Sequence, residues 1–282
     1  MENAFPKSNT MRLQKNNGVM FYVFPQLERL GFVDHGFSTR FGGVSEGYHR
    51  SMNLNFSNGD DEIKVMENFR NFAGALGVDV KSMVLSDQDH GTCLREIEEK
   101  DQGKGLIKEK DYQGIDGLLT KVPRTALVTQ HADCIPLFFA DSKHQAVAMV
   151  HSGWRGTWGE MAKKTVEGMK TAFGTKAEDL YVGIGPSIGP CCFEVEQDVL
   201  VKLQEVPSWK DQDVVFQGNE KYRVDLWQLN KRMLQDAGVQ ESRIFVTDLC
   251  TKCHPQVFFS HRIHGNQRGS LGGMIAVKQE KI

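Results

Sequence analysis

Short apolar runs that do not alternate with polar residues are the feature that most constrains the fold of this chain. Thr125 to Thr129, Pro136 to Ala140 and Ala146 to His151 are runs of this kind, and they are typical of strands buried on both faces. Stretches with helical periodicity accompany them, most clearly Asp60 to Leu76 and Trp158 to Phe173, and a glycine follows each stretch and can end the helix. The alternation of strand-like and helix-like segments along the chain predicts helices packed on a buried sheet.

Weaker signals extend this pattern along the chain. No linker rich in Pro, Gly or Ser separates two halves, so we expect a single domain of α/β type. The further predicted elements are helices at Glu196 to Glu205 and Val224 to Ala237, and strands at Leu180 to Ile184, Ile244 to Val246, Val257 to Ser260 and Met274 to Val277.

Composition and charge exclude several classes of protein. The chain has 282 residues, of which 40% are hydrophobic and 25% charged, as in globular rather than disordered proteins. The 34 basic and 36 acidic residues give a net charge of −2, which leaves no basic excess for binding nucleic acid. The longest apolar run, Ile135 to Ala140, is too short to span a bilayer. Since residues 1–18 lack the apolar core of a secretory signal, we expect a cytoplasmic protein.

The stretch from Thr129 to Met169 places reactive side chains at the ends of two predicted strands. Cys134, next to Asp133, begins one buried strand, and His151 ends the next. A turn flanked by glycines and carrying Arg155 then leads into a helix. Main-chain N–H groups at a helix start and a planar guanidinium both favour an anion. This turn is therefore a candidate phosphate site, although a surface arginine in a tight turn would look the same.

A second glycine-rich segment, residues 31–61, is a weaker candidate for ligand binding. Glycines beside Ser38 and Arg40 would allow the main chain to approach a polar ligand closely. Asn53 and Asn55 could hydrogen-bond a sugar or a base. Ordinary turn chemistry explains all of these residues equally well.

His90, Cys134 and His151 form a possible metal triad. Three Cys and His ligands with one open position describe a catalytic zinc site, and thiolate and imidazole suit zinc or copper but not magnesium. The spacing of the three residues is not a metal motif by itself. Asp89 and Asp133 each neighbour one of the ligands, so either could orient an imidazole or carry a proton.

Six cysteines are expected to be thiols, ligands or nucleophiles rather than disulfides in a reducing compartment. CTKCH, residues 250–254, matches the C-x-x-C-H pattern of haem attachment. No export signal is visible, and a zinc site would need two further ligands where no second C-x-x-C exists. We interpret this match as coincidental. The segment 183–195, rich in Gly and Pro and carrying Cys191 and Cys192, is predicted to be a loop that could line a site.

Eight motifs occurring in this order resemble one family, the laccase-domain proteins, described first as multicopper polyphenol oxidases and later as purine nucleoside phosphorylases. The motifs are GFSTRFGGVSEG, QDHGT, DGLLT, ADCIPLFFAD, HSGWRGT, GIGPSIGPCCFEV, DLWQLNKRML and FFSHR. The resemblance covers residues 31–277. It implies an α+β fold, a single-domain four-layer α/β/β/α sandwich with mixed sheets, in which an N-terminal segment (1–30) precedes the catalytic domain (31–282).

The resemblance also implies a metal site at His90, Cys134 and His151 that holds zinc, with copper as the other choice. Family members phosphorolyse adenosine, inosine and methylthioadenosine and deaminate adenosine, so a purine nucleoside and phosphate are the expected partners of a monomer or homodimer. The expected catalytic residues are Cys134, His151 and Asp133, and the expected substrate and phosphate ligands are Arg40, Ser38, Asn53 and Arg155. The family usually has Gly-Arg before the last strand. This chain lacks that arginine, so any role it has is either lost here or supplied by Arg268 or Arg262.

Three other functions compete with this hypothesis. In a Cys–His amidohydrolase, a role that the resemblance also admits in editing peptidoglycan precursors, Cys134 would be a nucleophile activated by His151. A copper-dependent phenol oxidase is a remote alternative, because multicopper oxidases rely on H-x-H pairs and none of the nine histidines forms one. A metal-bound interaction module without enzymatic activity is the third.

Overall fold

Two stacked six-stranded sheets form the centre of this computed structural model, which describes residues 5–279. The strands are β1 (Arg12–Asn16), β2 (Val19–Val23), β3 (Val33–Ser38), β4 (Met83–Leu85), β5 (Leu94–Glu96), β6 (Gly117–Thr120), β7 (Ala126–His131), β8 (Ile135–Asp141), β9 (Ala146–Ser152), β10 (Leu180–Ile184), β11 (Glu194–Val195), β12 (Val214–Gly218), β13 (Lys221–Val224), β14 (Ile244–Val246) and β15 (Leu271–Val277). The helices are α1 (Pro25–Glu28), α2 (Glu62–Ala75), α3 (Trp154–Trp158), α4 (Met161–Phe173), α5 (Gln197–Gln204), α6 (Leu226–Asp236) and α7 (His261–His264).

Both large sheets are mixed. The first has the strand order β1-β2-β3-β15-β7-β4 and the second β14-β10-β8-β9-β6-β5. Parallel pairing is confined to β4 with β7, β10 with β14, and β5 with β6, while the other neighbours are antiparallel. A small antiparallel sheet, β11-β13-β12, lies apart from them. The mixed sheets that the family resemblance implies are confirmed.

The alternation of side chains along buried strands shows how the layers stack. In β8, Ile135, Leu137 and Phe139 belong to a core shared with α4 and α6, whereas Phe138 and Ala140 belong to the core between the two sheets. On the other side, α2 covers the outer face of the first sheet. Since β8 is covered on both faces, its apolar run needs no alternating polar positions. The predicted four-layer α/β/β/α sandwich is confirmed.

The ends of α2 and α4 are set by local signals. The Asp61 side chain accepts a hydrogen bond from the main-chain N–H of Ile63, 2.8 Å away, and caps α2. Gly174, with φ 75°, ends α4. The predicted helix from Trp158 to Phe173 is only partly right, because α3 ends at Trp158 and α4 begins at Met161. Glu160, with φ 58°, interrupts the helical conformation between them.

One predicted strand is wrong. Residues 257–260 form no strand, because the N–H groups of Val257 and Phe258 turn back to the carbonyl oxygen of His254. Phe258 and Phe259 are nevertheless fully buried. The apolar character of this run therefore reflects burial in the core between the two sheets and not pairing in a strand.

Residues before the predicted boundary at 30 also contribute to the sandwich. Strands β1 and β2 pair with each other, and β2 pairs with β3. The division of the chain at residue 30 stays a prediction. Among residues 5–279, none of the helices combines the length and apolar character needed to cross a bilayer.

Candidate active site

Strand pairing in the second sheet brings the three predicted metal ligands together. Cys134 directly precedes β8 and His151 lies near the end of β9, and the register pairs Pro136 with His151. The loop between β4 and β5 brings in His90, whose ring centroid lies 4.9 Å from that of His151. One potential ligand atom from each of the three residues lies within 4.8 Å of the others. They run from the surface to the interior, with His90 exposed and His151 buried.

The donor set fits the metal that the sequence predicts. One sulfur and two imidazole nitrogens suit zinc or copper, and three protein ligands leave a position for another molecule. Burial of the Cys134 thiol would raise its pKa, but the His151 and His90 side chains outweigh burial and lower that pKa to about 6. The sulfur is therefore readily available as the thiolate that binds a metal.

Asp116 is the carboxylate that orients the imidazole of His151. His151 Nδ1 donates a hydrogen bond to Asp116 Oδ1 over 2.6 Å. The other oxygen of Asp116 accepts the main-chain N–H groups of Asp89 and Gly91, at 3.1 and 3.0 Å. For His151 the orienting carboxylate is therefore neither Asp89 nor Asp133, the two residues predicted either to orient an imidazole or to carry a proton. Asp116 lies in the DGLLT motif, and its distance in sequence from His90 and His151 gives no sign that it contacts either. In the structure it also anchors the loop that carries His90.

Unusual main-chain conformations position the ligands. His90 itself has φ 68° and Asp133, just before Cys134, has φ 84°. These left-handed conformations cost a non-glycine residue of the order of 1–3 kcal/mol and persist only where the surrounding structure holds them. Gly153 lies against the ligands, since a Cβ added there would be 3.0 Å from Cys134 Sγ and 3.3 Å from His90 Cδ2. The turn before α3 thus requires a residue without a side chain.

Asp133, a predicted catalytic residue, has its carboxylate engaged by other groups. It accepts hydrogen bonds from the hydroxyls of Thr251 and Ser260, at 2.6 and 3.0 Å, and from the main-chain N–H of Arg262 at 2.7 Å. Its carbonyl oxygen accepts the N–H of Ile188. Asp133 therefore joins three loops around Cys134 rather than facing an imidazole.

A cavity of about 400 Å³ opens beside the triad. Its polar lining includes Arg155, Arg262 and Arg268. Its apolar lining consists of Ile135, Trp154, Ile188, Phe193 and Leu226. A second concavity of about 260 Å³ is bordered by all three triad residues and by Arg268. The three arginines give the site a positive potential next to an apolar wall.

The three arginines are held in different ways, and Arg262 Nη1 donates to the carbonyl oxygen of Glu194 over 2.9 Å. The guanidinium of Arg155 lies 4.5 Å from the centre of the Trp154 ring. Arg268 Nη1 donates to the carbonyl oxygen of Gly269 and to the hydroxyl of Ser270, at 3.1 and 3.2 Å. Arg155 is where the sequence predicts a phosphate ligand, and Arg268 and Arg262 are the two residues named as possible substitutes for the family's missing arginine.

The structure does not bring Arg40 to this cavity. Its Nε donates to the carbonyl oxygen of Arg50 and its Nη1 to that of Pro255, at 3.0 and 2.9 Å. Arg40 borders a separate concavity formed by residues 40–51. Its role as a phosphate ligand stays a prediction.

Ser38 and Asn53 are buried and hydrogen-bonded within the protein. Ser38 Oγ accepts the main-chain N–H of Gly272 on the neighbouring strand, at 2.9 Å. The Asn53 amide donates to Asn58 and Asp60, and its oxygen accepts from the loop around it. Both side chains serve the loop and sheet that contain them, and neither is among the residues lining the triad cavity.

A second group of potential ligands was missed in the sequence. The sulfur atoms of Cys191, Cys192, Cys250 and Cys253 all lie within 4.8 Å of one another. The C-x-x-C segment was set aside because two further ligands were lacking, and that reason is wrong. The adjacent pair Cys191 and Cys192 supplies the two further potential ligands, and adjacent cysteines are not a spacing typical of a metal motif.

Comparisons with known proteins agree with this architecture. Two curated relatives are named "Purine nucleoside phosphorylase YlmD". The one from Bacillus subtilis is 31% identical over 245 residues, covering 86% of this chain and 88% of the relative. The one from Geobacillus stearothermophilus is 35% identical over 251 residues, again with 86% and 88% covered.

Solved structures show the same fold. A Bacillus licheniformis hypothetical protein named YfiH superposes with a TM-score of 0.88 at 29% identity, covering 96% of this chain and all of its own. YlmD from Geobacillus stearothermophilus gives a TM-score of 0.87 at 30% identity, with 96% and 99% covered. The family model described as "Multi-copper polyphenol oxidoreductase laccase" matches residues 34–278. The chain therefore belongs to the multi-copper polyphenol oxidoreductase laccase family.

Proposed function

We propose that this chain is a zinc-dependent purine nucleoside phosphorylase that acts on adenosine, inosine and methylthioadenosine and also deaminates adenosine. The observation that carries the proposal is the His90–Cys134–His151 triad beside a cavity that has both a cluster of arginines and an apolar wall. The names of the curated relatives supply the reaction class.

The triad would hold the zinc ion, with copper as the other choice for this donor set. When bound, the ion supplies Lewis acidity that activates water. Because His151 Nδ1 is taken by Asp116, its Nε2 is left to face the ion. Asp116 acts as a positioning residue, since it fixes the orientation of that ring and the loop that carries His90.

Phosphorolysis requires a phosphate held against C1′ of the ribose while positive charge builds on the sugar. Arg155, Arg262 and Arg268 are the groups in the cavity that can bind a phosphate dianion, and guanidinium groups do so with paired hydrogen bonds. They also reduce the repulsion between that dianion and the Cys134 thiolate. In this proposal the arginines therefore bind and align the nucleophile.

The apolar wall fits a purine base. Phe193, Leu226 and Ile188 line the same cavity as the three arginines, and a flat heteroaromatic ring gains free energy by leaving water for such a surface. Bound there, the base would exclude water from the part of the cavity where the sugar and phosphate meet.

Product analysis tests the proposal. Purified protein with a measured zinc content is incubated with adenosine, with and without phosphate, and the products are separated by liquid chromatography. We expect adenine only when phosphate is present, and inosine in both cases. Cys134→Ala should lose both products, while Cys93→Ser, which changes an exposed cysteine outside both cysteine-containing sites, should keep them. An absence of products from zinc-loaded protein would contradict the proposal.

A Cys–His amidohydrolase is the second candidate, because the Cys134 thiol has a lowered pKa beside His151. Metal removal separates the two functions. A nucleophilic cysteine would stay active without metal and would be inactivated by iodoacetamide. Loss of activity on chelation, with the thiols still unmodified, would argue against a nucleophilic role.

A further inference from the structure

We propose that Cys191, Cys192, Cys250 and Cys253 form a second metal site, which holds one structural zinc ion through four thiolates. The four side chains come from two loops, 185–193 and 247–254, that are distant in sequence. Neither the family resemblance nor the function proposed above depends on this site, and the proposal stands without that function.

The distances between sulfur atoms fit a single ion. Zinc bound tetrahedrally at about 2.3 Å from each sulfur sets neighbouring sulfurs about 3.8 Å apart. Cys253 Sγ lies 3.5 Å from the sulfur atoms of both Cys191 and Cys192, and all four sulfurs lie within 4.8 Å of one another. A disulfide needs about 2.05 Å between its sulfurs. An iron–sulfur cube interposes its own atoms between the cysteines and would hold them farther apart.

The main chain around the cluster supports thiolate ligands. The N–H of Gly189 donates to Cys250 Sγ over 3.2 Å, and such a bond stabilises negative charge on a sulfur. The N–H groups of Cys192 and Phe193 both donate hydrogen bonds to the carbonyl oxygen of Gly189, 2.9 Å away, which closes a tight turn. Gly189 also packs against Trp227, since a Cβ placed there would be 2.7 Å from its ring. The turn thus presents two adjacent cysteines toward the buried Cys250.

The site would fasten part of the wall of the cavity. Both cysteine loops are hydrogen-bonded to Asp133: Ile188 N–H donates to its carbonyl oxygen and Thr251 Oγ1 donates to its carboxylate. The loops also bond each other, through Thr251 N–H and the carbonyl oxygen of Ser187. Ile188 and Phe193 line the cavity. Four protein ligands and no open position are typical of structural zinc, and we assign this ion a structural and not a catalytic role.

Metal analysis of the whole chain, purified under reducing conditions from zinc-supplemented cells, tests the site. We expect two zinc ions per chain in the wild type and one in a His90→Ala/Cys134→Ser variant. Cys253→Ser should also drop to one, while the matched control Cys93→Ser should keep two. X-ray absorption at the zinc edge of the His90→Ala/Cys134→Ser variant should show sulfur neighbours alone, at about 2.3 Å.

That absorption measurement keeps the proposal testable even if Cys253→Ser fails to fold. Complete loss of zinc from the His90→Ala/Cys134→Ser variant, while it remains folded, would overturn the proposal. Nitrogen or oxygen neighbours in its spectrum would do the same, as would iron with inorganic sulfide. An intact-mass measurement that finds a disulfide among these cysteines in the purified, unreduced wild type would show a redox pair in place of a zinc site.

Discussion

The molecule gathers metal-binding side chains at two places that are built in different ways. The His90–Cys134–His151 triad uses strand ends in the second sheet and the loop before β5, and it borders a cavity. The four-cysteine cluster uses two loops, and none of its sulfurs is among the residues lining that cavity. Three ligands beside a cavity suit chemistry, whereas four ligands in a closed set suit stability. The comparison teaches that the number of ligands and their position relative to the cavity separate the two roles.

Loss of Cys134 should have the largest effect and should separate the two sites most clearly. We expect Cys134→Ala to lower kcat/KM by more than about 100-fold, because even residues that only orient a metal ligand are worth about 10–100-fold. The melting temperature should change little, since the sandwich does not depend on this ion. Parallel activity and calorimetry measurements check this. A large fall in melting temperature would show that the triad is structural and would break the comparison.

Asp116→Asn should have the next largest effect. Asp116 accepts from His151 with one oxygen and from two main-chain N–H groups with the other, whereas an asparagine has only one accepting oxygen. Zinc affinity and activity should therefore each fall about 10–100-fold. Competition with a chromophoric chelator measures the affinity. Asp198→Asn, on the exposed start of α5, is the matched control. Unchanged zinc affinity in Asp116→Asn would remove Asp116 from the triad.

Gly153→Ala tests how tightly the turn before α3 fits the triad. A Cβ 3.0 Å from Cys134 Sγ forces the ligands or the turn to shift, and overpacking of this kind costs about 1–3 kcal/mol. We expect zinc affinity of the triad to fall roughly tenfold, with the second, sulfur-bound zinc retained. Metal counts after partial chelation distinguish the two ions. Equal loss from both sites would show that they are not independent.

Arg268→Lys should have the smallest effect of the four. The charge remains but the paired geometry of the guanidinium is lost, which should raise KM for phosphate about fivefold, or about 1 kcal/mol. KM for the nucleoside should stay the same. Arg40→Lys provides the comparison, and its effect on the phosphate KM should be smaller because Arg40 borders a separate concavity and not the triad cavity. A larger effect at Arg40 would support the original sequence prediction.

Much of the fold was predictable because its signals are local. Asp61 and Gly174 act at helix ends within one turn of the chain, and the unbroken apolar pattern of β8 reflects burial on both faces. The signal failed at Phe258 and Phe259, where burial occurs without strand pairing. Apolar character reports the environment of a side chain and does not report the hydrogen bonds of its main chain.

The candidate site was predictable only where the residue type itself indicates metal binding. Thiolate and imidazole ligands are few in a chain, so His90, Cys134 and His151 could be singled out before the fold was known. Asp116 could not, because carboxylates are common and its contact with His151 arises from the pairing of β6 with β9. The arginines of the cavity could not be predicted for the same reason. Arg268, for example, is brought to the triad by the loop before β15.

The two carboxylate oxygens of Asp116 link the positions of His90 and His151. One oxygen holds the ring of His151 and the other holds the loop of His90. A change at either histidine therefore alters the strain felt at the other, and substitutions at the two positions will not have additive free energies. Any replacement that adapts this centre to a different metal has to be chosen for both histidines and Asp116 at once, because the three residues behave as a single energetic unit.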